Sequence, residues 1–368
     1  MTFKCKLPWQ ALHIIPGIIA PCCNFSRVGP PPASLDEYIN SAELKSVRDQ
    51  LLQGVAPREC KNCVHEEAIS GRSHRTLSNR FEDNDPVHEF EDVSIVTSNT
   101  CNLKCTSCTG NSSFVRGVEL TKMGLAANSP GHFTHTLDID ALINYPIKSL
   151  TISGGEPFVD STREVLDKLV HAGRSTVIDL RLNSNCTMIT PDWLEYLDSN
   201  FKSTMIKASL DGVGAVNDYL RYPSKWDEIE ANLAMLKDYP NITAALVTSV
   251  LSNLSVIRFH DLINWCVDNN IEDLVVLTLR NPVHMQPHVL PAELKQQLLL
   301  TYTELRETHK DAGDRILECI DTCIGICSNQ ISTADEFTRA LEWYQAHDRH
   351  RGNNIFDVFP ELKPYEQT

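Results

Sequence analysis

The 368 residues contain no apolar run of the ~18 residues that a membrane-spanning helix needs. Basic residues are scarce: 33 Lys and Arg stand against 48 Asp and Glu, a net charge of −15, and no Lys/Arg run interrupts the balance. A surface that negative does not gather phosphate backbones, which argues against bulk nucleic acid as a partner. Internal repeats and low-complexity tracts are missing, which sets aside repeat and disordered architectures. No export signal is expected either. Lys4 and Lys6 precede an apolar stretch, but Pro8, His13, Pro16 and Gly17 break any helical segment there. The chain is therefore expected to stay in the cytoplasm, off the membrane.

Apolar residues make up 42% and charged residues 22%, a composition that fits a soluble globular chain with a substantial core. The length suggests two or three folding units. Against this ordinary background stand thirteen cysteines. The number is odd and the chain is too long to need a disulfide framework, so clustered cysteines read first as metal ligands.

The pattern separates three regions: residues 1–85, 86–290 and 291–368. The first is loop-rich, with a helix capped by Ser34 and Glu37 and a second from Ser41 to Gln53 ending at Gly54. The second alternates short apolar strands with amphipathic helices. Strands are predicted at Val93–Thr97, Ser149–Ser153, Val177–Asn183, Met205–Leu210, Thr243–Ser249 and Leu274–Thr278. Six β/α units in series imply an α/β fold with a parallel sheet, a partial (β/α)6 TIM-like barrel open on one side. From Pro291 onward only helices are expected, as a C-terminal helical extension. In parallel barrels functional groups collect on loops after the strands.

The segment TSNTCNLKCTSCTG directly follows the first of these strands and spaces Cys101, Cys105 and Cys108 as CxxxCxxC. Three thiolates on one short loop suit three corners of a [4Fe–4S] cluster, leaving one iron open for a small molecule. A structural zinc loop is the competing reading. The next strand ends in Gly154, Gly155, Glu156 and Pro157. Glycines there let backbone approach a ligand closely, and Glu156 offers a carboxylate to an ammonium group. Alone this is a turn; after CxxxCxxC it is harder to explain so.

The pairing resembles the radical SAM superfamily. That resemblance implies an open iron chelated by S-adenosylmethionine (SAM), with Gly154, Gly155 and Glu156 holding its amino group. It implies reductive cleavage of SAM to a 5′-deoxyadenosyl radical that abstracts hydrogen from a substrate. Matching strand ends carry Asn183 with Asn185, and Ser209 with Asp211; of these Asn183, Ser209 and Asp211 are the candidate SAM contacts, although turn or capping roles weigh equally. Arg221 is a candidate carboxylate partner, or an ordinary surface arginine. Ser107 stands where the family often has an aromatic residue, which weakens one adenine contact but removes no ligand.

Cys60 and Cys63 form a CxxC, while Cys5 and Cys22 flank a Pro-Gly turn at Gly17. Two plus two makes a four-thiolate site, for zinc or a second cluster. The spacing resembles the twitch module, a shortened SPASM domain, which implies an auxiliary [4Fe–4S] cluster. That module usually follows the barrel; here it precedes it. Nearly the whole chain, from CxxPW and PCC to Asp357–Leu362, looks like a group of twitch-containing radical SAM proteins. Cys22 is preferred over Cys23 as ligand. The resemblance further implies an external electron donor of flavodoxin or ferredoxin type, and a peptide or small-molecule substrate.

Cys319, Cys323 and Cys327 line one helix face over ~12 Å, too far apart for one cubane, and are expected in the core, as are Cys186 and Cys266. His284 and His288 follow the sixth strand and are expected in ordinary loop roles more than at substrate, and the five tryptophans in packing. Two other functions compete. A non-enzymatic iron–sulfur or zinc redox sensor or scaffold explains the cysteines but leaves the Gly-Gly-Glu turn unused. An ordinary SAM methyltransferase needs a glycine-rich loop where this chain has three cysteines.

Overall fold

The computed structural model describes residues 3–26, 32, 34–70, 73–79, 90–129, 131–134, 139–271, 273–329 and 334–366. Among the described residues there are eight strands: β1 (Ala11–Ile15), β2 (Ile18–Ala20), β3 (Asp92–Val96), β4 (Ser149–Ser153), β5 (Asp179–Ser184), β6 (Ser203–Ser209), β7 (Ile242–Leu251) and β8 (Asp273–Thr278). Their order is β2-β1-β3-β4-β5-β6-β7-β8, with β2 and β8 at open edges, so the sheet does not close. β1–β3, β3–β4, β4–β5 and β7–β8 pair in parallel, while β1–β2 is an antiparallel hairpin. This is a mixed α/β fold built on a parallel sheet.

All six predicted strands are found, Ser149–Ser153 unchanged and the others with ends displaced by at most two residues. Two more precede them. Leu12 and Ile14 of β1 align with Val93 and Ile95 of β3. Those align with Leu150 and Ile152 of β4, and these in turn with Leu180 and Leu182 of β5. All eight side chains are buried, so one face of the sheet is a continuous apolar layer. The Pro16-Gly17 turn reads as a local hairpin, and Gly17 sits at φ +73°, where glycine costs least. The parallel pairing with a strand some eighty residues on has no local signal.

Two compact units divide the chain. One comprises the described residues of 1–98, 133–182 and 199–204, the other those of 99–132, 183–198 and 205–368. The expected boundary after residue 85 lies outside the described residues.

In the first unit, Ser34 accepts from Glu37 N and Ser41 from Leu44 N, capping helices Leu35–Ile39 and Ala42–Leu52. Val47 and Leu51 of the latter pack on Trp9, with Cys5 at the margin of that cluster. In the second unit the helices Ala292–Thr308 and Asp314–Ser328 follow β8. Cys319, Cys323 and Cys327 are buried there, and Cys319 donates to Leu274 O of β8 at 3.3 Å. These three cysteines are core. Among the described residues no helix is long and apolar enough to cross a membrane.

Candidate metal and cofactor site

The cysteine loop belongs to the second unit. It is pinned on both sides by backbone bonds: Lys104 N–H donates to Tyr222 O at 2.6 Å and Thr106 N–H to Leu220 O at 2.8 Å. Inside the loop Cys108 N–H donates to Cys105 O at 3.2 Å. Ser113 ends it, capping helix Phe114–Lys122 through Arg116 N and donating its hydroxyl to Leu103 O.

Two donors are aimed at one sulfur. Leu103 N–H lies 3.4 Å from Cys101 Sγ, and Asn185 Nδ2 lies 3.9 Å from it. Donors of this kind favour the sulfur as thiolate or metal ligand. Asn185 is itself fixed: Nδ2 donates to Asn102 Oδ1 at 2.9 Å, and Oδ1 accepts from Thr187 N and Oγ1. Asn102 closes the ring by donating to Thr187 Oγ1 at 2.7 Å. The neighbouring Cys186 adopts φ +63°, a left-handed conformation that turns the chain back after β5.

All three sulfurs belong to half-buried residues. Burial pushes the Cys105 thiol up, partly offset by Arg221, Arg116 and Arg351. Burial pushes Cys108 up to about 12, with the neighbouring Cys105 and Cys101 adding to it. Thiols raised in this way give up their protons most readily to a metal that replaces them. The donor set therefore fits an iron–sulfur group on Cys101, Cys105 and Cys108.

Asp211 is occupied otherwise than expected. Its Oδ1 accepts from Val250 N at 2.8 Å and Ser249 Oγ at 3.3 Å, and its Oδ2 pairs with Arg221 Nε at 2.9 Å. Burial works against the Arg221 charge, but Asp211 and the thiols of Cys105 and Cys108 outweigh it and raise the guanidinium above its ordinary value. Arg221 is thus a largely covered cation beside the cysteine loop. Asn183 and Ser209 are half-buried at the ends of β5 and β6.

In the first unit, Gly154 sits at φ +128°, and a Cβ there would stand 2.5 Å from Ser98 O and 2.9 Å from Val96 Cγ1. Gly155 N–H donates to that same Ser98 O at 2.9 Å. The turn after β4 therefore needs glycine to pack on the end of β3, a reason independent of any ligand. Glu156 is buried, and its Oε1 accepts from Phe158 N at 3.2 Å.

The same unit gathers four thiols. Cys5, Cys22, Cys60 and Cys63 line one cavity with Leu7, Asn24, Phe25, His74 and Arg75. Cys23 is exposed and does not line it. Burial raises Cys5 to about 11 and Cys60 to about 12, and raises Cys22 further; each also feels the charge of Cys63. Asn24 Nδ2 donates toward Cys63 Sγ at 3.8 Å, again a donor on a sulfur. Among the described residues no three His, Cys, Asp or Glu side chains are drawn together as a single-ion site.

Sequence reasoning assigned no role to Asn24, Arg116, Glu119 or Arg351, and gave Asn185 only a strand-end role toward SAM or in a turn; all of them bear on the two thiol groups. The first four carried no signal in the sequence. His284 is buried with its ring 5.2 Å from that of Trp343, a packing role.

No family model and no curated protein matches the sequence. Among solved structures, a chain described as native anSMEcpe with bound AdoMet is 17% identical, with a TM-score of 0.42 over 59% of this chain and 60% of that one. The same protein with bound AdoMet and Cp18Cys peptide is 15% identical, with a TM-score of 0.40 over 60% and 62%. The chain thus spans about three fifths of the length of the structures it matches. A likeness this distant carries no functional argument, and the reading below rests on the residues.

Proposed function

We propose that this chain is a radical SAM enzyme, with a [4Fe–4S] cluster held by Cys101, Cys105 and Cys108. The observation that carries the proposal is the cysteine loop itself: three half-buried thiols on one short segment, with an amide N–H and the Asn185 carboxamide directed at that of Cys101. When bound, the cluster would supply an electron to the sulfonium of SAM, splitting off methionine and a 5′-deoxyadenosyl radical that takes hydrogen from the substrate.

The chain's own residues bind, orient and exclude water. Gly154, Gly155 and Glu156 are the proposed contacts of the SAM amino group; Glu156 is already desolvated, which strengthens its pull on a cation. Asn183 and Ser209 are the proposed polar contacts at the ends of β5 and β6. Asp211 acts in this reading by holding Arg221, whose charge stands beside two of the thiols.

Cys5, Cys22, Cys60 and Cys63 are the proposed ligands of an auxiliary [4Fe–4S] cluster in a twitch-like module, supported by their lining of one cavity. Four cysteines would saturate that cluster and suit it to electron transfer. A flavodoxin or ferredoxin is the proposed external donor, and a peptide or small metabolite the proposed substrate. The net charge of −15 disfavours nucleic acid.

Anaerobic reconstitution with iron, sulfide, SAM and dithionite tests the proposal. Release of 5′-deoxyadenosine by the wild type and none by Cys105→Ala is expected. An intact cluster without any deoxyadenosine would replace the enzyme by a redox sensor or scaffold.

A further inference from the structure

Behind the cysteine loop lies a group of charges that the proposed reaction does not use. Arg116, on helix Phe114–Lys122, is wholly buried. Its Nη1 donates to Glu119 Oε2 at 2.6 Å and to His347 Nε2 at 2.8 Å, and its Nη2 reaches Thr106 O at 3.3 Å. Arg351, at the end of helix Ala334–Arg351, donates to the same Glu119 through Nε (3.0 Å) and Nη2 (2.7 Å), and through Nη2 to Lys104 O at 2.6 Å. Its guanidinium also stacks over Tyr222 at 4.7 Å.

Two guanidiniums share the Glu119 carboxylate, and His347 is neutral: its Nδ1 faces Trp343 O at 2.7 Å as donor, which leaves Nε2 to accept from Arg116. A second buried carboxylate, Asp348, accepts from Tyr219 Oη at 2.9 Å and Ile355 N at 2.8 Å and also feels the Arg351 charge. The two carbonyls that the guanidiniums grip, of Lys104 and Thr106, are those on either side of Cys105. The amide N–H groups of the same two residues are held by Tyr222 and Leu220. Both faces of the Cys105 segment are thus fixed by groups distant in sequence.

We propose that Arg116 and Arg351, clasped by Glu119, are positioning residues that preset the Cys105 segment for its ligand, and that their guanidiniums, held on the carbonyls either side of Cys105, favour the reduced, more negative state of the bound cluster. The proposal rests on the cluster reading above, but its first half concerns the metal-free protein. Carbonyls gripped by guanidinium hold the loop before any metal arrives, and a fixed cation nearby raises the potential of an iron–sulfur group.

Two measurements on the full chain test it, with Arg351→Gln, Arg351→Lys and Glu119→Gln. In metal-free protein, alkylation of Cys105 by iodoacetamide is followed by mass spectrometry, with the core thiols Cys319, Cys323 and Cys327 as the folding control. Arg351→Gln is expected to speed Cys105 labelling at least tenfold with the core thiols still protected, and Arg351→Lys to restore part of the protection. Unchanged labelling would overturn the positioning role, whether or not the wild type takes up iron. In reconstituted protein the midpoint potential is read by redox titration. Arg351→Gln removes a positive charge and is expected to move it negative by a tenfold change in the oxidised-to-reduced ratio, ~59 mV for one electron. Glu119→Gln removes a negative charge and is expected to move it positive. Shifts of the same sign, or none, would overturn the electrostatic role, because a merely loosened loop has no reason to follow the sign of the charge. If Glu119→Gln does not fold, Arg351→Lys takes its place: it keeps the charge and must keep the potential. A wild type without iron would refute the cluster reading and with it the electrostatic half.

Discussion

Asn185 Nδ2 stands 3.9 Å from Cys101 Sγ while its carboxamide oxygen is held by Thr187. The amide cannot turn away without breaking those bonds, so its N–H groups stay on the sulfur side. Outer partners of metal ligands commonly carry 10–100-fold of affinity. Asn185→Ala is expected to weaken iron retention at the loop by ~10-fold against a chelator, with Asn183→Ala having less effect. Equal retention in wild type and Asn185→Ala would remove this hydrogen bond from the account.

The four thiols of the first unit give a counting experiment. Roughly eight irons per chain are expected after reconstitution if both sites hold [4Fe–4S] groups. Cys60→Ala or Cys22→Ala is expected to lower the count to roughly four, and Cys23→Ala to leave it unchanged. Four irons with one zinc in the wild type would make the N-terminal site structural.

Cys323 offers the opposite case. It is fully buried in helix Asp314–Ser328, and its removal should cost packing and no metal. Cys323→Ala is expected to lower stability by ~1 kcal/mol while iron content holds. Iron loss with this variant would reopen the reading of the three helical cysteines.

Acid should loosen the charge group in two overlapping stages. Burial pushes Glu119 up, but the hydrogen bonds and charges of Arg351 and Arg116 outweigh it and bring the carboxyl from 4.5 down to about 2. A depressed carboxyl stabilises the fold above its unfolded value, and that contribution fades as pH falls from ~4.5 toward 2. Burial, then Arg116, lowers His347 from 6.5 to about 4, so the unfolded ring takes up a proton that the folded ring resists. Stability from this source is present above 6.5 and fades toward pH 4. Urea midpoints are expected to decline between pH 6.5 and 4 and again below. Glu119→Gln, which leaves two buried guanidiniums without their carboxylate, is expected to cost ~3 kcal/mol at pH 7 and to flatten the lower limb. A lower limb parallel to the wild type would count against the pairing.

Gly154 supplies a steric test. Ala at φ +128° is strained, and its Cβ would collide with Ser98 O, which is backbone and cannot rotate aside. Gly154→Ala is expected to destabilise by more than ~2 kcal/mol, read as a lower thermal midpoint of the metal-free protein. An unchanged midpoint would mean that the turn after β4 is not packed on the end of β3.

What was legible in the sequence was local. The six strands after residue 90 announce themselves by apolar runs, the caps at Ser34 and Ser41 by their spacing, and the cysteine loop by its intervals. The choice of Cys22 over Cys23 came from the family resemblance; the structure places Cys22 in the cavity and leaves Cys23 exposed. The missing information is in pairings between distant segments. β1 joins the sheet because Leu12 and Ile14 continue the buried layer of β3, which a five-residue run cannot advertise. Asp211 looked available at a strand end, and only the folded chain brings Val250 N and Arg221 to its oxygens. Arg351 lies 247 residues from the carbonyl it holds, inside an ordinary polar helix.

That separation has a temporal side. At ~5–20 residues per second, ribosomal synthesis of the stretch between Lys104 and Arg351 takes on the order of 10–50 s. During that interval the cysteine segment is already outside with its carbonyls unclasped. Its thiols meet the cell before their support does, and whatever they hold is locked in place only when the last long helix docks.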